Sequence, residues 1–383
     1  MSSIAQVQQQ RFFDCILEIK PDQKRYGFKR QPQKNSSPLS SPLTATGNAG
    51  RTLLDIEQQA AMNRQAGVIA KQQFVEFTQA HLHDQVAEEL FLKLGKFDTV
   101  ASTVFNLAEG FPAVLDMLSA RALTLSQLEN LLAPVDWLKE DLMKLVNQPQ
   151  YRNKTPSGNF IKELKPAIGL LGIEAMKQIL PVYALKRSLP HATDPFTGFK
   201  GQIWQYSIAV ALAAQRLAEE TGENPFVAYC AGLFHSLGYL VVARTYLRTY
   251  QQVKQAALLK ARDARDTELT DALDSLDADA SFLNSCFQEF SAIISADLVS
   301  KWGLKRLPLS QVLDQFAEGV GYSGASRLTQ IVHQAVYFVQ AQTLRKYKLL
   351  DEAEELAWMQ AVQLRPEHRQ LLQQTRLDRL EID

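Results

Sequence analysis

The stretch that decides the fold is IWQYSIAVALAAQRLAEETGENPFVAYCAGLFHSLGYLVVA, residues 203–243. Its apolar residues recur at steps of three and four, which predicts two helices that each bury one face. A TGENP turn at 221–225 joins the two helices. In the second helix the small residues Ala231 and Gly232 permit close helix contact, and His235 follows on the same buried helix. The stretch therefore predicts a packed helical pair.

The rest of the chain keeps the same helical period from Leu53 onward. Beyond Gly95, Gly and Pro residues fall where the apolar pattern breaks, and no run of alternating strands, internal repeat or strand–helix alternation is visible. The apolar stripe of one long helix over residues 51–98 comprises Phe74, Phe77, Leu82, Val86, Leu90 and Leu94. The sequence therefore predicts an all-α protein.

Composition narrows the function classes. The chain has 383 residues with 41 Lys plus Arg and 41 Asp plus Glu, so its formal net charge is zero. A balanced chain lacks the broad basic footprint of a nucleic-acid binder. Its three cysteines are too scattered for a disulfide framework or a zinc cluster, and no run of about 18 uninterrupted apolar residues occurs. We therefore expect a cytoplasmic protein with no nucleic-acid partner and no stable membrane insertion.

The N-terminal region differs from the rest in composition. Residues 1–20 could form a short amphipathic helix or a strand around Phe12 and Phe13. Residues 35–50 are rich in Ser, Pro and Gly, which predicts a flexible linker. Between them lies a basic and aromatic cluster: Lys24, Arg25, Tyr26, Phe28, Lys29 and Arg30. This cluster could bind a partner, RNA or an anionic surface, although a solvated basic tail is the simpler interpretation. We expect residues 1–34 to be a disordered segment that could recognise a partner.

The helix that carries Ala-Gly-Leu-Phe-His-Ser-Leu-Gly at 231–238 resembles the corresponding helix of the HD superfamily. It is most similar to the HDOD domain, the HD-related output domain of bacterial signalling proteins. The similarity extends to LKPAIGLLGIEAMKQILPV at 164–182, to Trp204, and to SADLVSKWGLKRLPLSQVL at 295–313. It covers roughly residues 100–380, with the most specific part at 160–310. The resemblance thus implies one HDOD-like helical domain over 99–380, preceded by the long helix.

The departures from the superfamily bear on function. An HD phosphohydrolase resembling this chain would need a first His, a His-Asp doublet and a later Asp around a divalent metal. Here Tyr206 stands where the first His is expected, and the doublet has become His235-Ser236. Ser291 falls near the position where relatives place another His. The resemblance thus implies a vestigial site of Tyr206, His235, Ser236 and Ser291, with no catalytic residue, no metal and no cofactor.

Three functions remain open from the sequence. The favoured one is a non-catalytic signalling module that acts through a protein partner, with a homodimer through the helix over 53–94 as one arrangement. The second is a residual phosphohydrolase or nucleotide sensor, for instance of cyclic di-GMP, with His235 as the surviving ligand. The third is an adaptor that binds nucleic acid or an anionic surface through the segment from Lys24 to Lys34. A lone His among apolar neighbours is, however, most often a hydrogen-bonded core residue.

Overall fold

The structure is a computed structural model that describes residues 4–19, 55–96, 110–120, 122–152 and 160–378. Within these ranges every regular element is helical, which confirms the all-α prediction. The basic and aromatic residues Lys24, Arg25, Tyr26, Phe28, Lys29 and Arg30 lie outside the described residues, as does the linker predicted at 35–50.

The chain divides into two compact units. The larger comprises Met1–Lys24, Lys93–Leu247 and Asp279–Asp383, and the smaller comprises Arg25–Leu92 and Arg248–Ala278. The helices, in chain order, are α1 (Ile4–Ile16), α2 (Asp55–Gly95), α3 (Phe111–Leu118), α4 (Leu125–Leu132), α5 (Asp136–Val146), α6 (Pro149–Arg152), α7 (Leu164–Ser188), α8 (Phe199–Thr221), α9 (Pro225–Phe234), α10 (Leu237–Asp263), α11 (Thr267–Asp274), α12 (Ala280–Lys301), α13 (Leu309–Ala317), α14 (Arg327–Lys346), α15 (Glu352–Ala361) and α16 (Pro366–Gln374).

Residues 203–243 lie in the larger unit and form three helices rather than the predicted two, namely α8, α9 and the start of α10, because the helical backbone is interrupted at His235 and Ser236. Gly222 ends α8 in the left-handed region (φ +76), which glycine adopts without strain. Asn224 then starts α9, because its side chain accepts hydrogen bonds from the backbone N–H groups of Phe226 and Val227. At Gly232, an added Cβ would lie only 3.0 Å from the Val210 carbonyl oxygen. The small residue therefore lets α9 pack directly on the backbone of α8.

A second close approach follows six residues later. A Cβ added to Gly238, in the first turn of α10, would overlap the backbone carbonyl of Ser291 on α12. The backbone N–H of Gly238 also donates to Ser295 Oγ at 2.8 Å. The chain between α9 and α10 is thus held between α8 on one side and α12 on the other.

The N-terminal segment divides into two parts. The sequence was compatible with either a helix or a strand over residues 1–20. In the structure, residues 4–16 form the helix α1, and its Gln8, Phe12 and Phe13 are fully buried. Helix α1 contacts α8, α12 and α14 within the larger unit. Residues 4–19 therefore differ from the disordered segment expected from the sequence. Burying two adjacent phenylalanine side chains is favourable, because it removes their apolar surface from water. The remainder of residues 1–34 lies outside the described part.

In the smaller unit, α2 buries only part of its predicted apolar stripe. Leu82, Val86 and Leu90 are buried, whereas Phe77 is 72% exposed. Leu82 and Phe77 are five residues apart, which places them about 140° apart around a helix. The buried face therefore follows the four-residue steps from Leu82, and the prediction that Phe77 belongs to it is wrong.

Two segments are long and apolar enough to cross a membrane by length and composition alone. They are Leu164–Ser188 and Pro225–Asp263, and the most apolar stretch of each is 50% and 94% buried inside the protein, respectively. Core helices of soluble proteins pass the same test, so the criterion does not separate a core helix from a span.

The close approach at Gly238 gives a first prediction. Gly238→Ala should lower the free energy of unfolding by about 3 kcal/mol or more, because its Cβ meets backbone that cannot move aside. Gly201→Ala in α8 is the matched control: no atom lies within 4 Å of its added Cβ, so the change should stay below about 1 kcal/mol. Urea denaturation of both variants measures the difference, and equal stabilities would contradict the packing at Gly238.

Candidate functional site

The vestigial positions predicted from the sequence lie where α8, α9 and α12 meet. Tyr206 is on α8, His235 is the residue that ends α9, and Ser236 follows it directly. All three side chains are buried, with at most 6% of their surface exposed. The structure thus brings these three predicted residues into one buried cluster.

His235 uses both ring nitrogens inside the protein. Its Nδ1 lies 2.5 Å from the carbonyl oxygen of Gly232, so this nitrogen carries the proton and donates it. Its Nε2 lies 2.9 Å from the hydroxyl of Tyr206 and accepts from it. The Tyr206 hydroxyl in turn accepts from Gln340 Nε2 at 3.2 Å. A single chain of hydrogen bonds therefore runs from α14 through α8 to α9, and we call it the Tyr206–His235 relay.

A pair of serine hydroxyls lies beside the relay. Ser207 Oγ and Ser236 Oγ are 2.7 Å apart, and each also lies within hydrogen-bond distance of a backbone carbonyl, that of Ile203 and that of Leu233 respectively. Each hydroxyl has one hydrogen, so only two of these three contacts can be donated at one time. The position where the superfamily pattern has the carboxylate of its doublet is thus occupied by a neutral hydroxyl pair.

Ser291 and Ser295 on α12 contribute differently. Ser295 Oγ donates to the backbone carbonyl of His235 at 2.9 Å and accepts from Gly238 N–H. Ser291 is fully buried, but its hydroxyl has no hydrogen-bond partner among the described residues, so this predicted site residue does not join the relay. Asp297 on the same helix is exposed.

Sequence reasoning missed Gln340 and Ser295. Both follow apolar residues in sequence, Gln340 in YFVQ and Ser295 in IIS, and buried polar residues usually have a hydrogen-bond partner. That signal could have marked them as buried, but it could not have identified Tyr206 or Gly238 as their partners, because Gln340 and Tyr206 are 134 residues apart.

Burial sets the protonation states of the cluster. Desolvation lowers the pKa of His235 from 6.5 to about 4, and the hydrogen bond to Gly232 opposes this only in part. Desolvation likewise raises the pKa of Tyr206 well above its ordinary value. His333, whose ring stacks on Phe316 at 4.3 Å between centroids, also has its pKa lowered to about 4 by burial. At neutral pH the cluster is therefore uncharged.

The residues present do not fit the divalent metal of an HD phosphohydrolase. A metal ligand must offer a free lone pair, yet both nitrogens of His235 are engaged, and Ser236 supplies no carboxylate. Among the described residues, no group of three His, Cys, Asp or Glu side chains lies close enough to hold a metal ion. The cluster can therefore donate and accept hydrogen bonds but offers no charge to bind a cation.

Helix α1 covers this cluster. The ring of Phe12 lies 4.6 Å from that of Tyr206, and the ring of Phe13 lies 4.5 Å from that of Tyr239, measured between centroids. Gln9 Nε2 donates to the Tyr239 hydroxyl at 3.0 Å. The side of the relay that faces α1 is thus closed by two aromatic side chains.

Comparison with known proteins gives one family match. A family model described as the HDOD domain matches residues 106–307. The crystal structure of a "Putative phosphohydrolase" from Shewanella amazonensis SB2B is 17% identical, with 74% of this chain and 91% of that chain covered and a TM-score of 0.44. That of a "Putative signal transduction protein" from Marinobacter aquaeolei VT8 is 16% identical, with 76% and 66% covered and a TM-score of 0.43. No curated protein matches.

The buried His235 and the half-buried His333 give a prediction for pH dependence. A depressed pKa in the folded state means that the unfolded chain binds more protons, so stability is lost as pH falls from about 6.5 towards about 4. Between pH 7 and pH 5 each of His235 and His333 should account for a loss of about 2 kcal/mol.

Urea denaturation at pH 7, 6 and 5 tests this expectation. His235→Gln and His333→Gln should each be less stable at pH 7 but lose less stability on acidification than the wild type. His191→Gln, which removes an exposed histidine, serves as the control. If the wild type and all three variants lose the same stability on acidification, the prediction that His235 and His333 are neutral in the folded protein is wrong.

Proposed function

This chain belongs to the HDOD family, and on that basis we propose that it is a non-catalytic regulatory module that acts in signalling through protein–protein contacts. The family match spans residues 106–307, which contain the whole α8–α9 pair and its His235. The module is thus HD-related, and the question is whether its degenerate site still performs chemistry.

The observation that carries the proposal is the Tyr206–His235 relay. A general base must be able to reach a substrate proton, and a metal ligand must be able to reach a cation. His235 is buried, neutral at pH 7, and bonded at both nitrogens. Using it in catalysis would require breaking at least one of these bonds and leaving Tyr206 or Gly232 unpaired in the core, which costs about 1–3 kcal/mol per group. The arrangement favours a structural role.

A residual phosphohydrolase or a sensor of a nucleotide such as cyclic di-GMP is the alternative. It would need a cation or cationic side chains near the relay to hold phosphate oxygens. Among the described residues, Tyr206 and His235 have Gln340, Phe12, Tyr239, Phe316, His333 and a backbone carbonyl oxygen as neighbours, and each of these is neutral at pH 7. This neutral environment disfavours a phosphate ligand at this position.

The proposal includes the partners expected from the sequence. The module would act in the cytoplasm on a signalling protein, without nucleic acid and without stable membrane insertion, and residues 24–30 would be one contact segment. A homodimer through the helix over residues 53–94 is a further arrangement. The exposed apolar side chains Met62, Ile69 and Phe77 on α2 support it, because a second copy could bury them.

Hydrolysis assays test the non-catalytic role. The full chain, supplied with Mn²⁺ or Fe²⁺, should hydrolyse neither cyclic di-GMP nor bis(p-nitrophenyl) phosphate above the rate of His235→Gln. Ser236→Asp should remain inactive and should be destabilised by several kcal/mol, because it buries a carboxylate beside the neutral hydroxyl of Ser207.

One outcome would overturn the proposal. Metal-dependent turnover by the unmodified chain, lost in His235→Gln while circular dichroism and the melting temperature show a folded variant, would establish an enzyme. The Tyr206→His/Ser236→Asp double variant serves as a further comparison, because it restores the superfamily residues at two positions.

A further inference from the structure

Helix α1 is anchored by two adjacent aromatic residues. Phe12 packs against Tyr206 of α8, and Phe13 packs against Tyr239 and Phe287, with ring centroids 4.5 Å and 4.7 Å away. Both phenylalanines are fully buried. The surface that receives them consists of α8, α12, α14 and the first turn of α10, and we call it the α1 groove.

Side chains around the aromatic pair fix the position of α1 along the groove. Gln8 Nε2 donates to the Tyr337 carbonyl at 3.0 Å, and Gln9 Nε2 donates to the Tyr239 hydroxyl at 3.0 Å. Asn284 Nδ2 donates to the Gln10 carbonyl at 3.1 Å and to the carboxylate of Asp14 at 2.8 Å. These contacts define both the register and the direction of a helix in the groove.

An ion pair links α1 to α15. Arg11 Nη1 lies 2.9 Å and 3.0 Å from the two carboxylate oxygens of Glu354, and the two side chains are 40% and 41% exposed. A half-exposed pair of this kind contributes little to stability. Reversing the charge of Arg11 would instead place two carboxylates together, and this would weaken the binding of α1 without changing the buried aromatic residues.

Several features set α1 apart from the rest of the core. It is 13 residues long, a length at which an isolated helix is marginal in water. Its hydrogen-bond partners Tyr239, Asn284, Tyr337 and Glu354 are more than 200 residues away in sequence. The buried Oε1 of Gln8 has no hydrogen-bond partner among the described residues, so the interface leaves one acceptor unsatisfied. These are features of a helix bound in a groove rather than of an element around which a core forms.

We propose that α1 is an exchangeable ligand of the α1 groove, and that the groove binds an amphipathic helix carrying two adjacent aromatic residues. In the resting chain that helix is α1. A partner helix with the same aromatic pair would displace α1 and take its place on Tyr206 and Tyr239. This inference goes beyond the regulatory role and stands without it, because helix exchange can be measured whether or not the module is catalytic.

The covalent connection gives α1 an advantage over a free helix. A segment joined to its site by a linker competes at an effective concentration in the millimolar range. A separate helix therefore binds the wild-type chain only weakly, and any change that weakens α1 alone raises the apparent affinity for it. Exchange is thus regulated by the stability of α1 in the groove.

Native-state hydrogen exchange on the full chain tests whether α1 opens on its own. Amides of α1 should exchange faster than those of α8 and α9. Arg11→Glu, which places two carboxylates together, should speed exchange in α1 by about fivefold and leave α8 and α9 unchanged. Arg216→Glu is the matched control, since the Arg216–Glu219 pair has the same 2.9 Å distance and similar exposure. If α1 exchanges only with global unfolding, the proposal is wrong.

Peptide binding tests the groove itself. The probe is a fluorescent peptide of residues 1–19, and the host is the full chain with Phe12→Ala/Phe13→Ala. The host should bind this peptide at least tenfold more tightly than the wild-type chain does. It should also bind it at least tenfold more tightly than a peptide carrying the same two substitutions. A host that fails to fold, or that folds and binds both peptides equally, would show that α1 is a fixed part of the core.

Discussion

Two glycines control how the centre of this protein packs. Gly232 lets α9 approach the backbone of α8, and Gly238 lets α10 approach the backbone of α12. Between them the chain turns from one helix into the next, and His235 lies in that turn. Because backbone contacts backbone on both sides, no water layer separates the turn from its neighbours. Every polar group in the turn must therefore find its partner within the protein.

The polar cluster follows from that constraint. His235 ends α9 and brings three polar groups into the core. Its backbone carbonyl accepts from Ser295, its Nδ1 donates to the Gly232 carbonyl, and its Nε2 accepts from the Tyr206 hydroxyl. These hydrogen bonds offset most of the free-energy cost of burying the polar groups. Removing one partner would leave a buried polar group unpaired, and the protein would lose stability by the full desolvation cost of that group. The same burial that lowers the pKa of His235 also keeps the imidazole neutral, and only the neutral ring can donate at one nitrogen and accept at the other.

The sequence predicts the local parts of this arrangement and not its distant ones. Apolar residues that recur at steps of three and four, together with the small Ala231 and Gly232, predict the packing of α8 on α9 and the burial of His235. The resemblance to the HDOD family places Tyr206 and Ser236 in the same cluster. Gln340 could not be found, because nothing near it in sequence specifies a tyrosine 134 residues away. The N-terminal segment stayed ambiguous for the same reason, since the groove that makes residues 4–16 a helix is built from residues far along the chain.

The contacts of His235 give its side chain a structural role in the turn between α9 and α10. The turn requires a flat side chain that donates to the Gly232 carbonyl and accepts from the Tyr206 hydroxyl, and neutral imidazole meets that geometry. Tyr206 connects this requirement to α1, because its hydroxyl faces His235 while its ring contacts Phe12. A single side chain thus joins the hydrogen-bonded cluster around His235 to the helix that covers it. If α1 leaves its groove, one face of Tyr206 loses its packing while its hydroxyl remains bonded to His235 and Gln340. Under the proposed exchange, the Tyr206–His235 relay would keep Tyr206 in position on the surface that α1 now covers.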